Sequence, residues 1–80
     1  MEEYFKIKTN LEDQGYSNIE MIAGGLLFVG TDASGTVCVF NAEAIRINTE
    51  DSGISIEKDS NEGEYTITIN SYSTKYKISE

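Results

Sequence analysis

Histidine and proline are absent from these 80 residues, and cysteine occurs once. The lack of histidine excludes Ser-His-Asp and Cys-His nucleophilic sites, the usual zinc ligand sets and the side chain that titrates nearest neutral pH. Because Cys38 lies in an apolar segment and has no candidate base beside it, we expect a core thiol. A single cysteine forms no internal disulfide, which fits a reducing cytoplasm.

Basic residues are scarce, with six against 14 acidic ones, for a net charge of −8. A domain this acidic repels DNA, RNA and anionic lipid, so direct nucleic-acid binding is not expected. The longest apolar run, residues 21–29, contains two glycines and is far short of a membrane span. The first residues lack the basic and apolar regions of a signal peptide. We therefore expect a cytoplasmic protein, in the host cytoplasm if phage-encoded, with no membrane partner.

The segment LLFVGTDASGTVCVF is the only stretch that is apolar on both faces of a predicted strand. Residues 26–29 and 37–40 are short apolar runs without alternation, which is typical of strands covered on both sides. Residues 31–35 between them have the composition of a turn. We predict a β-hairpin here, at the centre of a sheet, and the rest of the chain must then cover its second face.

Residues 2–14 admit two interpretations. Tyr4, Ile7 and Leu11 recur at helical spacing, and the glycine that follows this segment suits a helix C-terminus. Residues 5–9, however, also alternate between apolar or threonine positions and lysine, as a strand would. We predict a helix, because the central hairpin needs an element that covers its second face.

Further strands are predicted along the rest of the chain. Residues 18–23 form a short strand that ends at Gly24-Gly25, a turn or bulge. After residue 40 the apolar pattern slips in phase, which indicates a bend or bulge near Asn41 within one long strand. Residues 54–57 and 65–69 alternate, with isoleucine or tyrosine inward. Residues 74–78 read as an edge strand that outward lysines protect from pairing.

The predicted fold class is therefore α+β, in a single domain of residues 1–80. One N-terminal helix packs on a curled, mainly antiparallel sheet of five to six strands. The alternative is an all-β small barrel in which residues 4–9 supply an extra strand.

Neither a metal nor a cofactor is expected. Asp59 begins a segment that resembles a calcium loop, but its twelfth position is Asn70, where a bidentate glutamate is needed. Gly24-Gly25 leads into a strand and not into a helix, which argues against a phosphate-binding loop. Catalysis by carboxylates alone needs a deep cleft, which a domain of this size rarely has. We predict that the protein is not an enzyme.

Acidic residues concentrate in residues 41–64, which contain seven acidic and two basic residues and therefore carry a net charge of −5. They form either a solvated surface or a patch that binds a basic partner, since carboxylates along strands and turns can take the positions of phosphates. The candidate partner-binding residues are Glu43, Glu50, Asp51, Glu57, Asp59, Glu62 and Glu64.

In size, acidity and lack of catalytic residues, the chain resembles the DNA-mimic inhibitors that phages use against host nucleases and defence systems, including anti-CRISPR proteins. This resemblance is one of type and covers no motif, so it assigns no functional positions. It implies a non-enzymatic inhibitor or adaptor, a monomer or homodimer, that binds a basic surface of a nuclease or other nucleic-acid-binding protein.

Two further functions stay open. Gly24-Gly25 could combine with tyrosines at a subunit interface to bind a small molecule or nucleotide, which makes a homo-oligomeric binding protein the main alternative. The tyrosines in question are Tyr16, Tyr65, Tyr72 and Tyr76. The other function is that of an accessory component that pairs through a sheet edge.

Overall fold

A computed structural model describes residues 2–50 and 53–78, and the chain divides into two compact units, Met1–Ile47 and Asn48–Glu80. The first unit contains helix α1 (Glu2–Asp13), strand β1 (Ser17–Ile22), a 3₁₀ turn (Ala23–Gly25), strand β2 (Leu27–Thr31) and strand β3 (Val37–Asn41). The second contains strands β4 (Ile54–Lys58), β5 (Glu64–Ile69) and β6 (Tyr72–Lys77).

Helix α1 confirms the prediction of a helix in this segment. Leu11 is fully buried, and Tyr4 and Ile7 pack beside it against the first sheet. The helix ends in a Schellman motif, in which the amide of Tyr16 donates to the carbonyl of Leu11 at 3.0 Å. Gly15 takes the left-handed conformation that this motif requires, at φ 103°. No helix formed by the described residues is long and apolar enough to cross a membrane.

Strands β1, β2 and β3 form an antiparallel sheet in that order. Phe28 pairs with Phe40 on the face that packs against α1, whereas Val29 pairs with Val39 on the opposite face. All four side chains are buried, so the prediction that this hairpin is covered on both faces is confirmed. β2 is central in its sheet and β3 lies next to it.

A bulge in β1 brings Ile19 onto Gly30. The register between β1 and β2 shifts between Ser17 and Glu20, and Asn18 in the bulge has a left-handed φ of 53°. A Cβ atom at position 30 would lie 2.6 Å from Cδ1 of Ile19 and 3.2 Å from the carbonyl oxygen of Ser17, so a larger residue there would force Ile19 to shift.

The chain reverses at Asn41 and does not continue as one bent strand. The side-chain oxygen of Asn41 accepts hydrogen bonds from the amides of Glu43 and Ile45, which closes a tight turn. The returning segment pairs with β3, because Arg46 bridges to Phe40 and the amide of Ile47 donates to the carbonyl of Val39. The predicted long strand with a bulge near Asn41 is therefore wrong.

The second unit contains its own antiparallel sheet, in the order β4-β5-β6. Ile54, Ile67 and Tyr76 are buried on one face, as the alternation of these strands predicts. β6 is an edge strand with exposed Lys75 and Lys77, which also matches the prediction.

The architecture confirms α+β and corrects the predicted sheet. In residues 2–50 and 53–78, six strands form two three-stranded sheets and not a single sheet of five to six strands. The physical cause lies at the turn after β3, where the returning segment already pairs with that strand. The all-β barrel is wrong as well, because residues 4–9 are helical and neither sheet closes.

Candidate functional site

The seven carboxylates predicted to bind a partner do not all lie on one element. Glu43 is in the turn after β3, in the first unit, and Glu50 is in the loop before β4. Asp51 lies outside the described residues. The remaining four belong to the β4–β5 hairpin and are Glu57, Asp59, Glu62 and Glu64. This hairpin is therefore the one place where the described structure collects the predicted site residues.

The β4–β5 hairpin exposes carboxylates because the side chains of its strands alternate between two faces and because a backbone hydrogen bond closes its connection. Glu57 lies on the face opposite Ile54 and Ile56, and it is exposed. The amide of Asp59 donates to the carbonyl of Glu64 at 2.9 Å, which closes the connection between the strands. Glu62 is exposed within the connection. Two carboxylates are thus exposed to solvent, one on a strand and one on the turn.

Asp59 differs from its neighbours because its carboxylate is already bound within the protein. Thr66 donates a hydrogen bond of 2.8 Å to Oδ1, and the ammonium group of Lys75 lies 3.1 Å from Oδ2. The hydrogen bond from Thr66, followed by that from Lys75, lowers the pKa of the Asp59 carboxyl below its ordinary value. Within residues 2–50 and 53–78 this is the one ion pair.

The polar face of the second sheet carries charges of both signs. Glu64 pairs with Lys77 across the β5–β6 register, and Thr66 pairs with Lys75. Directly opposite residues of an antiparallel pair share a face, so the β6 lysines stand on the same face as Glu57 and Glu64. The sequence pattern placed the lysines outward but did not relate them to the carboxylates. The acidic part of this face is therefore the β4 edge and its turn.

The first unit contains a groove of about 840 Å³ between α1 and the turn Ala23–Gly25. Gly24 and Gly25 line it, as do the apolar side chains of Met21 and Leu26. Glu43 lies on its border, so this predicted site residue belongs to the groove and not to the hairpin. The sequence indicated the glycine pair as part of a binding site, but it did not predict the apolar and acidic residues that line the groove with it.

Three of the four tyrosines expected around Gly24-Gly25 pack elsewhere in the fold, and the fourth, Tyr72, is exposed and does not line the groove. Tyr16 packs edge-on against Phe40, with ring centroids 4.7 Å apart, in the core of the first unit. Tyr76 is buried in the second unit, where its ring centroid lies 6.5 Å from that of Tyr65. The tyrosine that lines the groove is Tyr4, which the sequence places at helical spacing with Ile7 and Leu11.

Within the part of the chain that the structure describes, the cysteine and the carboxylates do not form a metal-binding group. Cys38 is buried, and this burial raises the pKa of its thiol. Among the residues that the structure describes, no group of three or more cysteine, aspartate or glutamate side chains could hold a metal ion. The candidate features are therefore the exposed carboxylates of the second unit and, separately, the apolar groove of the first unit.

No protein-family model, curated protein or solved structure matches this chain.

Proposed function

We propose that this chain is a non-enzymatic acidic protein that binds a basic surface of a nucleic-acid-binding protein, such as a nuclease, and thereby excludes nucleic acid. The observation that carries the proposal is the exposure of Glu57 and Glu62 on the β4–β5 hairpin, where neither takes part in the described ion pair. Carboxylates that are solvated and unpaired are available to a partner's lysine and arginine side chains.

Charge supports a protein partner over nucleic acid. The net charge of −8 repels phosphates, whereas it accelerates association with a surface of opposite sign. Binding of this kind needs no chemistry from the chain itself, because occupation of a basic channel is enough to exclude the natural ligand. We propose that the chain acts in the cytoplasm as a monomer or homodimer, and that it is of the same type as the DNA-mimic inhibitors of phage origin, such as anti-CRISPR proteins.

The test is capture of a partner by the immobilised protein from a lysate of its source organism, or of the host if the gene is phage-borne. Bound proteins are released in steps from about 50 mM to about 500 mM salt and identified by mass spectrometry. We expect a basic nucleic-acid-binding protein that elutes as the salt rises, because the contacts are ion pairs. Recovery of partners whose binding does not depend on salt would contradict the proposal.

A matched pair of variants separates the contribution of the hairpin carboxylates to binding from the contribution of the net charge. Glu57→Lys/Glu62→Lys reverses two exposed carboxylates of the hairpin, and Glu12→Lys/Glu20→Lys reverses two exposed carboxylates of the first unit. Both double variants change the net charge equally. We expect the hairpin variant to lose the partner and the control to retain it with a lower association rate. Equal loss in both would show that only net charge matters.

The homo-oligomeric small-molecule or nucleotide binder is the second candidate, because Gly24 and Gly25 line a groove. An anionic ligand there would approach Glu3 and Glu43, which also line it, against the field of the whole chain. A ligand-dependent rise in melting temperature together with self-association would favour this function over the first.

A further inference from the structure

The groove of the first unit exposes apolar side chains that the core does not use. Leu26 is 73% exposed and Met21 is 48% exposed, and both line the same groove. Single exposed apolar residues are ordinary on protein surfaces, whereas neighbouring ones around a concavity mark binding sites. Phe28 and Ile7 extend the apolar lining inward. The groove can therefore accept an apolar side chain from outside.

The backbone that leads into Leu26 is left-handed, and it is strained at Ala23. Ala23, Gly24 and Gly25 have consecutive positive φ angles of 53°, 65° and 98°. Glycine adopts this conformation freely, but the Cβ of alanine crowds the neighbouring carbonyl there. The left-handed φ of Ala44 in the turn after β3 is similar, at 64°, so this backbone places Leu26 at the groove without itself marking a binding site.

Charge at the groove decides between possible occupants. Glu3 and Glu43 line it together with Lys6, so its border is net acidic, as is the whole chain at −8. A second copy of this chain would bring like charge to the groove, and so would a phosphorylated ligand. A segment with lysine or arginine beside an apolar side chain is complementary to both the lining and its border.

We infer that this groove binds a short segment of a partner protein in which apolar side chains are flanked by lysine or arginine. The apolar side chain inserts between Leu26 and Met21, and the flanking cations contact Glu3 and Glu43. This inference rests on the proposed function in one respect only, namely that the partner is basic. It adds a hydrophobic anchor, and therefore a part of the binding that salt does not weaken.

The test uses a synthetic peptide, Lys-Lys-Leu-Trp-Leu-Lys-Lys with blocked ends, titrated into the ¹⁵N-labelled full chain. One comparison peptide has serine in place of the apolar residues, and the other has serine in place of lysine. We expect the first peptide to shift the amide resonances of Gly24, Gly25 and Leu26, and to bind more tightly than either comparison peptide.

Two variants with the same added charge make the test specific. Leu26→Asp alters the groove, and Ile45→Asp alters an aliphatic side chain that is 57% exposed and does not line it. Although both variants become more acidic, we expect Leu26→Asp to weaken binding about tenfold or more, because the anchor loses its apolar contact. Ile45→Asp should leave the affinity within about twofold of the wild-type value.

Five results would overturn the inference. The first is that the amides of the groove stay unshifted, and the second is that Leu26→Asp binds the peptide as tightly as the wild type. The third is that the lysine-free peptide binds equally well, so that the acidic border has no role. The fourth is that the peptide without apolar residues binds the groove equally well, so that there is no anchor. Shifts confined to the β4–β5 hairpin would also overturn it while leaving the proposed function intact. Conversely, the peptide is the only ligand found if it still binds the groove of Glu57→Lys/Glu62→Lys and no partner depends on the hairpin carboxylates. That result would support the inference about the groove and contradict the proposed function of the hairpin.

Discussion

The ammonium group of Lys75 on β6 lies 3.1 Å from the carboxylate of Asp59 at the end of β4. One of the carboxylates that the sequence assigned to a partner is thus paired inside the protein. The exposed acids that remain on the hairpin are Glu57 and Glu62. The acidity available to a partner is therefore set by the register of three strands as well as by composition.

This ion pair predicts that removal of a positive charge strengthens partner binding. Lys75 is 76% exposed, so Lys75→Met should change folding little and release Asp59 for the partner. We expect the affinity for the captured protein to rise about two- to fivefold, measured by titration calorimetry. Lys8→Met makes the same charge change in the first unit and is the control. An equal rise in both variants would mean that Asp59 does not take part in binding.

Substitution of Gly30 should destabilise the first unit. Because Cδ1 of Ile19 lies 2.6 Å from the position of an added Cβ, Gly30→Ala is expected to lower the free energy of unfolding by about 1–3 kcal/mol. Ile19→Val removes that methyl group and should recover part of the loss in the double variant. Urea unfolding measures all three variants, and losses that simply add would contradict this close packing.

Substitution of Leu11 tests whether helix α1 packs against the first sheet. It is fully buried against the first sheet, so Leu11→Ala is expected to lower the free energy of unfolding by about 2–5 kcal/mol. The exposed Glu12 next to it provides Glu12→Ala as a control with little effect. A loss below about 0.5 kcal/mol for Leu11→Ala would mean that the helix does not pack as described.

Asp32 gives the protein a pH-dependent contribution to stability. The amide of Thr36 donates to its carboxylate, as do the amide and hydroxyl of Ser34, and these bonds lower the pKa of Asp32 below its ordinary value near 3.8. A lowered folded-state pKa stabilises the fold above the unfolded value, and this contribution is lost as the pH falls through the folded value. Wild type should therefore exceed Asp32→Asn in stability at pH 7, and the difference should vanish in acid. A difference that does not change with pH would contradict this account.

The thiol of Cys38 should be unreactive in the folded protein. It is buried, and burial raises its pKa, so little thiolate is present at neutral pH and reagents cannot reach it. We expect a disulfide reagent to label Cys38 promptly in urea and only at the rate of opening in buffer. Prompt labelling under native conditions would contradict the buried position.

Local signals made much of the fold predictable from the sequence. Helix α1 followed from the spacing of its apolar residues and from Gly15, which the structure places in a Schellman motif. The strands of the second sheet followed from strict alternation. The turn at Asn41 was not predictable, because a bulge and a chain reversal produce the same shift in the apolar pattern after a strand. The side-chain hydrogen bonds of Asn41 select the reversal.

The candidate sites were less predictable because they depend on register and backbone geometry. The carboxylates of the hairpin were evident from composition, but their relation to Lys75 requires the pairing of β5 with β6. The groove had one signal, the pair Gly24-Gly25. The left-handed conformation of Ala23 had none, since alanine rarely adopts it and local sequence gives no reason to expect it.

The measurement that tests the central claim most directly is displacement of the captured partner by duplex DNA at constant ionic strength. If the carboxylates of Glu57 and Glu62 occupy the partner's nucleic-acid-binding surface, DNA should release the partner while an equal mass of neutral dextran does not. DNA already bound to the partner should likewise prevent its capture. A partner that stays on the immobilised protein in saturating DNA, or that is captured equally well as a DNA complex, would contradict the proposed function.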